Sequence, residues 1–254
     1  MYSSSLARHK IMQLERLPAL SITVGKLLAM LSNDDVEIDD LATVIEQDPG
    51  LTARVIGLAN AAYFARSNPV ITVNEAIIRV LGLQMVKTLA FSIALCGAFD
   101  TSRCPGFRLD RYWYLAFGGA QLSRLLVAQT ATEARADPDE IYLSALLYDI
   151  GVLVLVHEFP HDYAGVLDKM AKEPHQDTAS LERSLMGITS REAGEWLTHR
   201  WHLPPFVVQT IATQDTPEEF ADLPLRSKII RSVIQWLNRE SEESLMDLVE
   251  LQRF

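Results

Sequence analysis

One carboxylate in this sequence stands where a carboxylate is costly. The stretch Asp137–His157, DPDEIYLSALLYDIGVLVLVH, opens on a helix signal: Asp137 as N-cap, Pro138 at the first helical position and Glu140 three residues past the cap. Ile141, Leu143, Leu146, Leu147, Ile150, Leu153 and Leu155 then cover most of the circumference, the pattern of a central helix packed inside a bundle. Asp149 lies in the middle of that surface. It must be paired, metal-bound or protonated, unless the helix bends to let it out. Two chemistries fit. Asp149 is a remnant ligand for an ion or an anchor for a bound molecule, or it is a structural carboxylate bonded to helix-end amides or to an arginine such as Arg111, Arg124 or Arg191.

The remaining reactive groups are scattered. His157 and His161 are four apart, but Pro160 between them denies a regular shared face. His199 and His202 are three apart, with Glu195 four before His199. That pair suits a helix C-terminus, where a positive imidazole favours the dipole, better than a surface metal cluster. Cys96 lies in an apolar helix and Cys104 beside Pro105. Two cysteines make neither a disulfide framework nor a four-ligand zinc site, and they imply a reducing compartment. The sequence has no G-x-S-x-G elbow and no G-x-x-x-x-G-K phosphate loop.

Charge narrows the partners. The chain carries 33 acidic residues against 23 lysines and arginines, a net charge of −10, with no basic run. Such a field repels nucleic acid and anionic membranes. Asp48-Pro49-Gly50 between short helices suggests a helix-turn-helix, yet Thr52, Arg54, Gly57 and Asn60 offer only a thin face for reading bases. Asn60 and Glu75 better suit backbone groups at loops and helix ends. The N-terminus lacks the apolar core of a signal peptide, and Leu83–Phe99, interrupted by Gln84 and Lys87, is too short for a confident span. A cytoplasmic protein without membrane insertion is the expectation.

The elements that must position these groups read as helices throughout. Val24, Leu27, Leu28 and Leu31 give a first stripe, starting near Ser21 or Thr23. Asp39 or Asp40 caps a second helix, and Asp48 with Pro49 starts a third. Thr72 with Glu75, and Thr189 with Glu192, spell capping boxes, and Gly82 stops the helix begun at Thr72. Gly118 and Gly119, with Ala116 and Ala120, form a small-residue face for close helix packing. No run alternates as a strand does, so the class is all-α, about a dozen helices by the helical period. The boundaries expected are a leader at 1–15, an N-terminal helical subdomain at 16–99, a joint at 100–110, a second helical subdomain at 111–222, and C-terminal helices at 223–254 packed on the second subdomain.

Several motifs in order carry a family resemblance. They are Leu17-Pro18-Ala19-Leu20, the run Ile45-Glu46-Gln47-Asp48-Pro49-Gly50-Leu51-Thr52-Ala53-Arg54-Val55, and Leu58-Ala59-Asn60-Ala61-Ala62-Tyr63-Phe64. Glu75-Ala76-Ile77, Leu81-Gly82, Ala145-Leu146-Leu147-Tyr148-Asp149-Ile150-Gly151, Gly187, Gly194 and Trp201-His202-Leu203-Pro204 continue the series. Over roughly residues 14–220 the chain resembles the HDOD family, bacterial signalling modules related to metal-dependent HD-domain phosphohydrolases. The resemblance implies an HD-like helical architecture in which the second subdomain is a degenerate HD domain. Where an HD-type hydrolase carries an early histidine near Trp113, this chain has Leu115; for the His-Asp pair it has Tyr148 and Asp149. For the histidine before Gly194 it has Ser190, and for a His-His pair before Pro217 it has Gln214 and Asp215. Leu115 offers no ligand atom, and a phenol ionising near ~10 makes Tyr148 a poor one.

The expected protein is therefore a regulatory scaffold with no catalytic residues, no metal and no cofactor. It acts on another signalling protein, with cyclic-di-nucleotide signalling as one setting and a homodimer as one assembly. A residual metal-dependent nucleotide phosphohydrolase and a nucleotide or small-molecule sensor using the vacated pocket remain the alternatives. Tyr63, Phe64, Phe107, Tyr112 and Trp113, with Tyr114 beside them, are the candidate contact aromatics, for packing or for a partner.

Overall fold

The computed structural model describes residues 20–31, 33, 35–60, 69–129, 137–173, 176–214 and 220–239. Among these residues every regular element is helical. They fall into two compact units, one within Ala19–Ala98 and one within Phe99–Ser241.

In the first unit, α1 (Ile22–Leu31), α2 (Ile38–Glu46) and α3 (Pro49–Ala59) pack with α5 (Leu83–Cys96), and α4 (Val73–Glu75) continues into a π-helical turn at Ala76–Leu81. Local chemistry starts these helices. Ser21 Oγ accepts from the Val24 amide at 3.2 Å. Asp48 Oδ1 accepts from the amides of Gly50 and Leu51 at 2.9 and 3.0 Å, with Pro49 at the first position. The second helix differs from expectation. Asp39 and Asp40 lie inside its first turn behind Glu37, and Asp39 instead accepts from Asn74 Nδ2 at 3.0 Å. Gly82, at φ 82°, ends the π-helical turn in the left-handed range a side chain resists.

The polar residues of this unit serve its backbone. Lys87, only 1% exposed, donates from Nζ to the Asn33 carbonyl at 2.9 Å, just past the C-terminal end of α1. A cation is favoured there by the helix dipole. Glu75 Oε2 accepts from the Ile71 amide at 2.8 Å. Asn60 pairs with both backbone groups of Val70, Nδ2 to the carbonyl at 2.8 Å and the amide to Oδ1 at 2.9 Å. Asn60→Ala removes both bonds and is expected to cost about 2 kcal/mol in urea unfolding, while Asn60→Asp, losing only the donor, costs about half that.

The second unit contains α6 (Leu109–Gln129), α7 (Pro138–Leu146), α8 (Ile150–Glu158), α9 (Pro160–Lys172), α10 (Thr178–Met186), α11 (Ser190–Arg200), α12 (Pro205–Ala212) and α13 (Leu225–Arg239). Helix α6 packs on α7 and α13, α8 on α11, and α9 on α10. The small-residue face of α6 receives α13. A Cβ on Gly119 would fall 2.4 Å from Ile234 Cδ1, and Ala120 is fully buried. The stretch 138–158 is long and apolar enough to cross a membrane by composition, but 78% of its most apolar window is buried. It is also not one helix, which matters for Asp149.

Candidate functional site

The expected central helix breaks at its carboxylate. Helix α7 ends at Leu146; Leu147, Tyr148 and Asp149 form a turn, and α8 begins at Ile150. The turn is tightened by bonds from the Tyr148 amide to the Ala145 carbonyl at 3.2 Å and from the Ile150 amide to the Leu147 carbonyl at 3.1 Å. Asp149 becomes the N-cap residue of α8 and is half-buried, so the bend moves its charge off an otherwise apolar cylinder. Its side chain makes no capping hydrogen bond. Arg124 pairs with Asp139 at 3.3 Å and Arg191 with Glu195 at 3.1 Å. A break also frees helical carbonyls. The Tyr148 carbonyl accepts from Nε2 of Gln214, which is 7% exposed.

Just past the break, two backbones approach closely. A Cβ on Gly151 would lie 1.8 Å from the Ser190 carbonyl oxygen and 2.7 Å from the Gly194 amide nitrogen. Helices α8 and α11 thus cross at two glycines.

At that crossing lies a carboxylate that sequence reasoning missed. Glu182 on α10 is 0% exposed. Its Oε2 accepts from the Ser190 amide at 2.7 Å and from Ser190 Oγ at 3.0 Å, and its Oε1 accepts from the Tyr163 hydroxyl at 3.2 Å. One carboxylate therefore ties α9, α10 and the start of α11 together. Burial pushes the Tyr163 phenol well above its ordinary range, reinforced by the charge of Glu182, their hydrogen bond, and the charges of Asp149 and Cys104. The phenol is held as a donor. A signal for Glu182 existed: it follows Leu181 and precedes Met186 by four, on the apolar side of its helix.

Two of the motif positions meet specific partners. Ser190 meets Glu182, Gln214 meets the Tyr148 backbone, and Leu115 is a half-buried residue of α6. Asp215 lies outside the described residues. Among the described residues no group of three or more His, Cys, Asp or Glu side chains is placed to hold a metal ion. Among the described residues, Leu115 and Ser190 do not fit a hydrolytic metal centre: Leu115 has no donor atom, and the Ser190 hydroxyl is turned to Glu182. His157 and His161 fall on α8 and α9, on either side of Phe159, and His157 Nδ1 accepts from the Asp100 amide at 2.9 Å. His199 occupies the last turn of α11. Burial raises the Cys104 thiol, which weakens it as a nucleophile.

Two further features belong to the second unit. Phe107, Tyr112, Trp113 and Phe117 form a ladder of rings with centroids 6.4, 5.5 and 5.1 Å apart in succession, the last pair stacked. Tyr63 and Phe64 lie outside the described residues. The Thr189–Glu192 capping box forms as expected, and Arg183 joins it through Nη2 to Glu192 Oε1 at 2.7 Å. Burial raises the Glu192 carboxyl, but the Arg183 bond, the Thr189 amide and the nearby arginine charges outweigh it and hold the group below its usual range. A depressed folded value contributes stability above the unfolded value near ~4.3, lost as pH falls through the folded one. In acid titrations of urea midpoints, Glu192→Gln is expected to flatten the fall below about pH 4.5.

Comparison with known proteins places this geometry. The family model for the HDOD domain matches residues 17–217. An uncharacterized protein of Treponema pallidum (strain Nichols) is 24% identical over 236 residues, covering 90% of this chain and 44% of its own length. The solved structure of an HDOD domain protein of unknown function from Geobacter sulfurreducens aligns with a TM-score of 0.72 at 26% identity, over 92% of this chain and 76% of that one. A Shewanella amazonensis SB2B structure, provisionally named a phosphohydrolase, aligns at 0.71 and 26%, over 95% and 86%. A Marinobacter aquaeolei VT8 structure, provisionally named a signal transduction protein, aligns at 0.75 and 25%, over 98% of this chain and 60% of that one. The chain thus spans under half the length of the Treponema relative and three fifths of the Marinobacter one.

Proposed function

Because the chain belongs to the HDOD domain family, we propose that it is a non-enzymatic, cytoplasmic scaffold of bacterial signal transduction that acts by binding another signalling protein, within a cyclic-di-nucleotide network. The observation that carries this reading is the use made of the ligand positions. Ser190 is bonded to Glu182, Gln214 supports the Tyr148 carbonyl, and Leu115 has no ligand atom. A hydrolytic centre needs converging imidazoles and carboxylates with an open place for water. Here Ser190 and the Tyr148 backbone take part instead in the contacts between helices, which supports a role in presenting a surface. The name of the Marinobacter relative supports a signalling role. The half-buried rings of Phe107, Trp113 and Phe117, beside the buried Tyr112, are the contact candidates within this reading.

The name of the Shewanella relative keeps the hydrolase alternative testable. Purified protein is exposed to manganese, iron and zinc, dialysed and assayed for bound metal and for hydrolysis of a nucleotide panel. The expected result is less than about a tenth of an equivalent of metal and no hydrolysis above buffer. Near one equivalent of metal, lost with Asp149→Ala, would overturn the reading. In the partner arm, capture from host extract is expected to enrich a cyclic-di-nucleotide cyclase or phosphodiesterase with the native chain and less of it with Trp113→Ala. Equal enrichment by both would remove the ladder as the contact surface.

A further inference from the structure

We propose that the groove formed by α10, α11 and α13 binds a small phosphate-bearing ligand, independently of the scaffold reading. The groove is open, about 590 Å³ in volume, and its lining includes Arg183, Arg191, Arg231, Asp177, Ser180 and Gln235. That volume suits a nucleoside phosphate. Its three guanidinium groups stand against Asp177, Glu192 and Glu195, so the groove is close to neutral within a chain of net charge −10, and the guanidinium donors rather than a surplus of charge would hold an anion.

The acidic lining is already engaged. Asp177 Oδ2 caps α10, accepting from both the Ser180 amide and Ser180 Oγ at 2.9 Å. Two of the arginines are oriented but not exhausted. Arg183 donates from Nη1 to the Gly187 carbonyl at 3.1 Å and from Nη2 to Glu192 at 2.7 Å, and its side chain is 44% exposed. Arg191 donates from Nη1 to Glu195 at 3.1 Å with its side chain 24% exposed. A guanidinium has five N–H donors in a rigid fork. Each of these therefore keeps donors for a second acceptor while a carboxylate holds its plane in place. Such a fork suits bidentate recognition of phosphate oxygens. Arg231 adds charge from α13, and the exposed Gln235 one turn further on offers an amide to the rest of the ligand.

The experiment titrates the full chain by calorimetry with sodium pyrophosphate, adenosine monophosphate and guanosine monophosphate in turn, at ionic strength matched with sodium chloride. Saturable binding at one equivalent is expected, weakened about tenfold by Arg191→Gln and by Arg231→Gln and unchanged by Arg79→Gln in the first unit. Gln235→Glu sets a negative charge at an exposed position, so it tests the groove without disturbing packing, and it is expected to weaken binding too. Tighter binding of either nucleotide than of pyrophosphate identifies a nucleoside phosphate; equal binding identifies an inorganic anion. No saturable binding up to about 10 mM, or binding equally strong in all three groove variants, would overturn the proposal.

Discussion

Gly151→Ala is expected to destabilise the second unit by about 3 kcal/mol or more, seen as a large fall in the urea midpoint or as loss of soluble protein. The added Cβ would sit 1.8 Å from the Ser190 carbonyl oxygen and 2.8 Å from its carbonyl carbon. Both are backbone atoms, so no rotamer change relieves the contact. Only separation of α8 from α11 would do so, and Ser190 is anchored on its far side to the buried Glu182. Two other glycines calibrate the claim. A Cβ on Gly194 would meet Ile211 Cγ2 at 3.1 Å and the Gly151 amide nitrogen at 3.3 Å, a contact that a small shift absorbs. Gly194→Ala also gains helix propensity, so its net effect is expected within about 1 kcal/mol of zero. Gly165, exposed in the middle of α9, has nothing within 4 Å of a built Cβ. Gly165→Ala is expected to stabilise by about 0.5–1 kcal/mol. If Gly151→Ala melted with the wild type, the glycine crossing would not be what locks α8 to α11.

The contrast among these glycines shows where the sequence could be read and where it could not. Helix starts were legible because a cap acts over three or four residues: Asp48 with Pro49, Asp137 with Pro138 and Thr189 with Glu192 all form as their spacing implies. The motif around Gly151 and Gly194 was visible too, though only the fold shows that the two glycines touch. The break at 147–149 was not visible as a break. The apolar pattern runs straight through it, and what stabilises it is distant: the Ser190 backbone against Gly151 and the Gln214 amide on the Tyr148 carbonyl. Asp39 and Asp40 misled for another reason: the helix starts at Ile38, ahead of both, and Asp39 bonds Asn74, 35 residues away. The resemblance marked Tyr148, Asp149, Ser190 and Gln214 as former ligand positions. It did not mark Glu182, because the partners of that carboxylate lie on two other helices.

Glu182→Ala is the second change expected to have a large effect, about 3–4 kcal/mol in denaturant unfolding. It deprives the Tyr163 hydroxyl, the Ser190 amide and the Ser190 hydroxyl of a buried acceptor and leaves a void among α9, α10 and α11. Glu182→Gln keeps the volume and one acceptor oxygen but points an NH2 group at donors, so a smaller loss of about 1–2 kcal/mol is expected. Tyr163→Phe removes only one bond and should cost about 1 kcal/mol. The phenol gives the series a signature that volume alone lacks. Its folded value is raised, first by burial and then by Glu182, so the folded state keeps the proton that the unfolded chain releases near pH ~10. The stability this represents is complete below that pH and is lost as pH rises toward the folded value. Wild-type urea midpoints should therefore fall steeply above about pH 10, whereas in Tyr163→Phe the fall should be shallower from a lower starting point. Equal alkaline slopes in the two proteins would mean that Tyr163 is solvated and that Glu182 holds the helices through Ser190 alone.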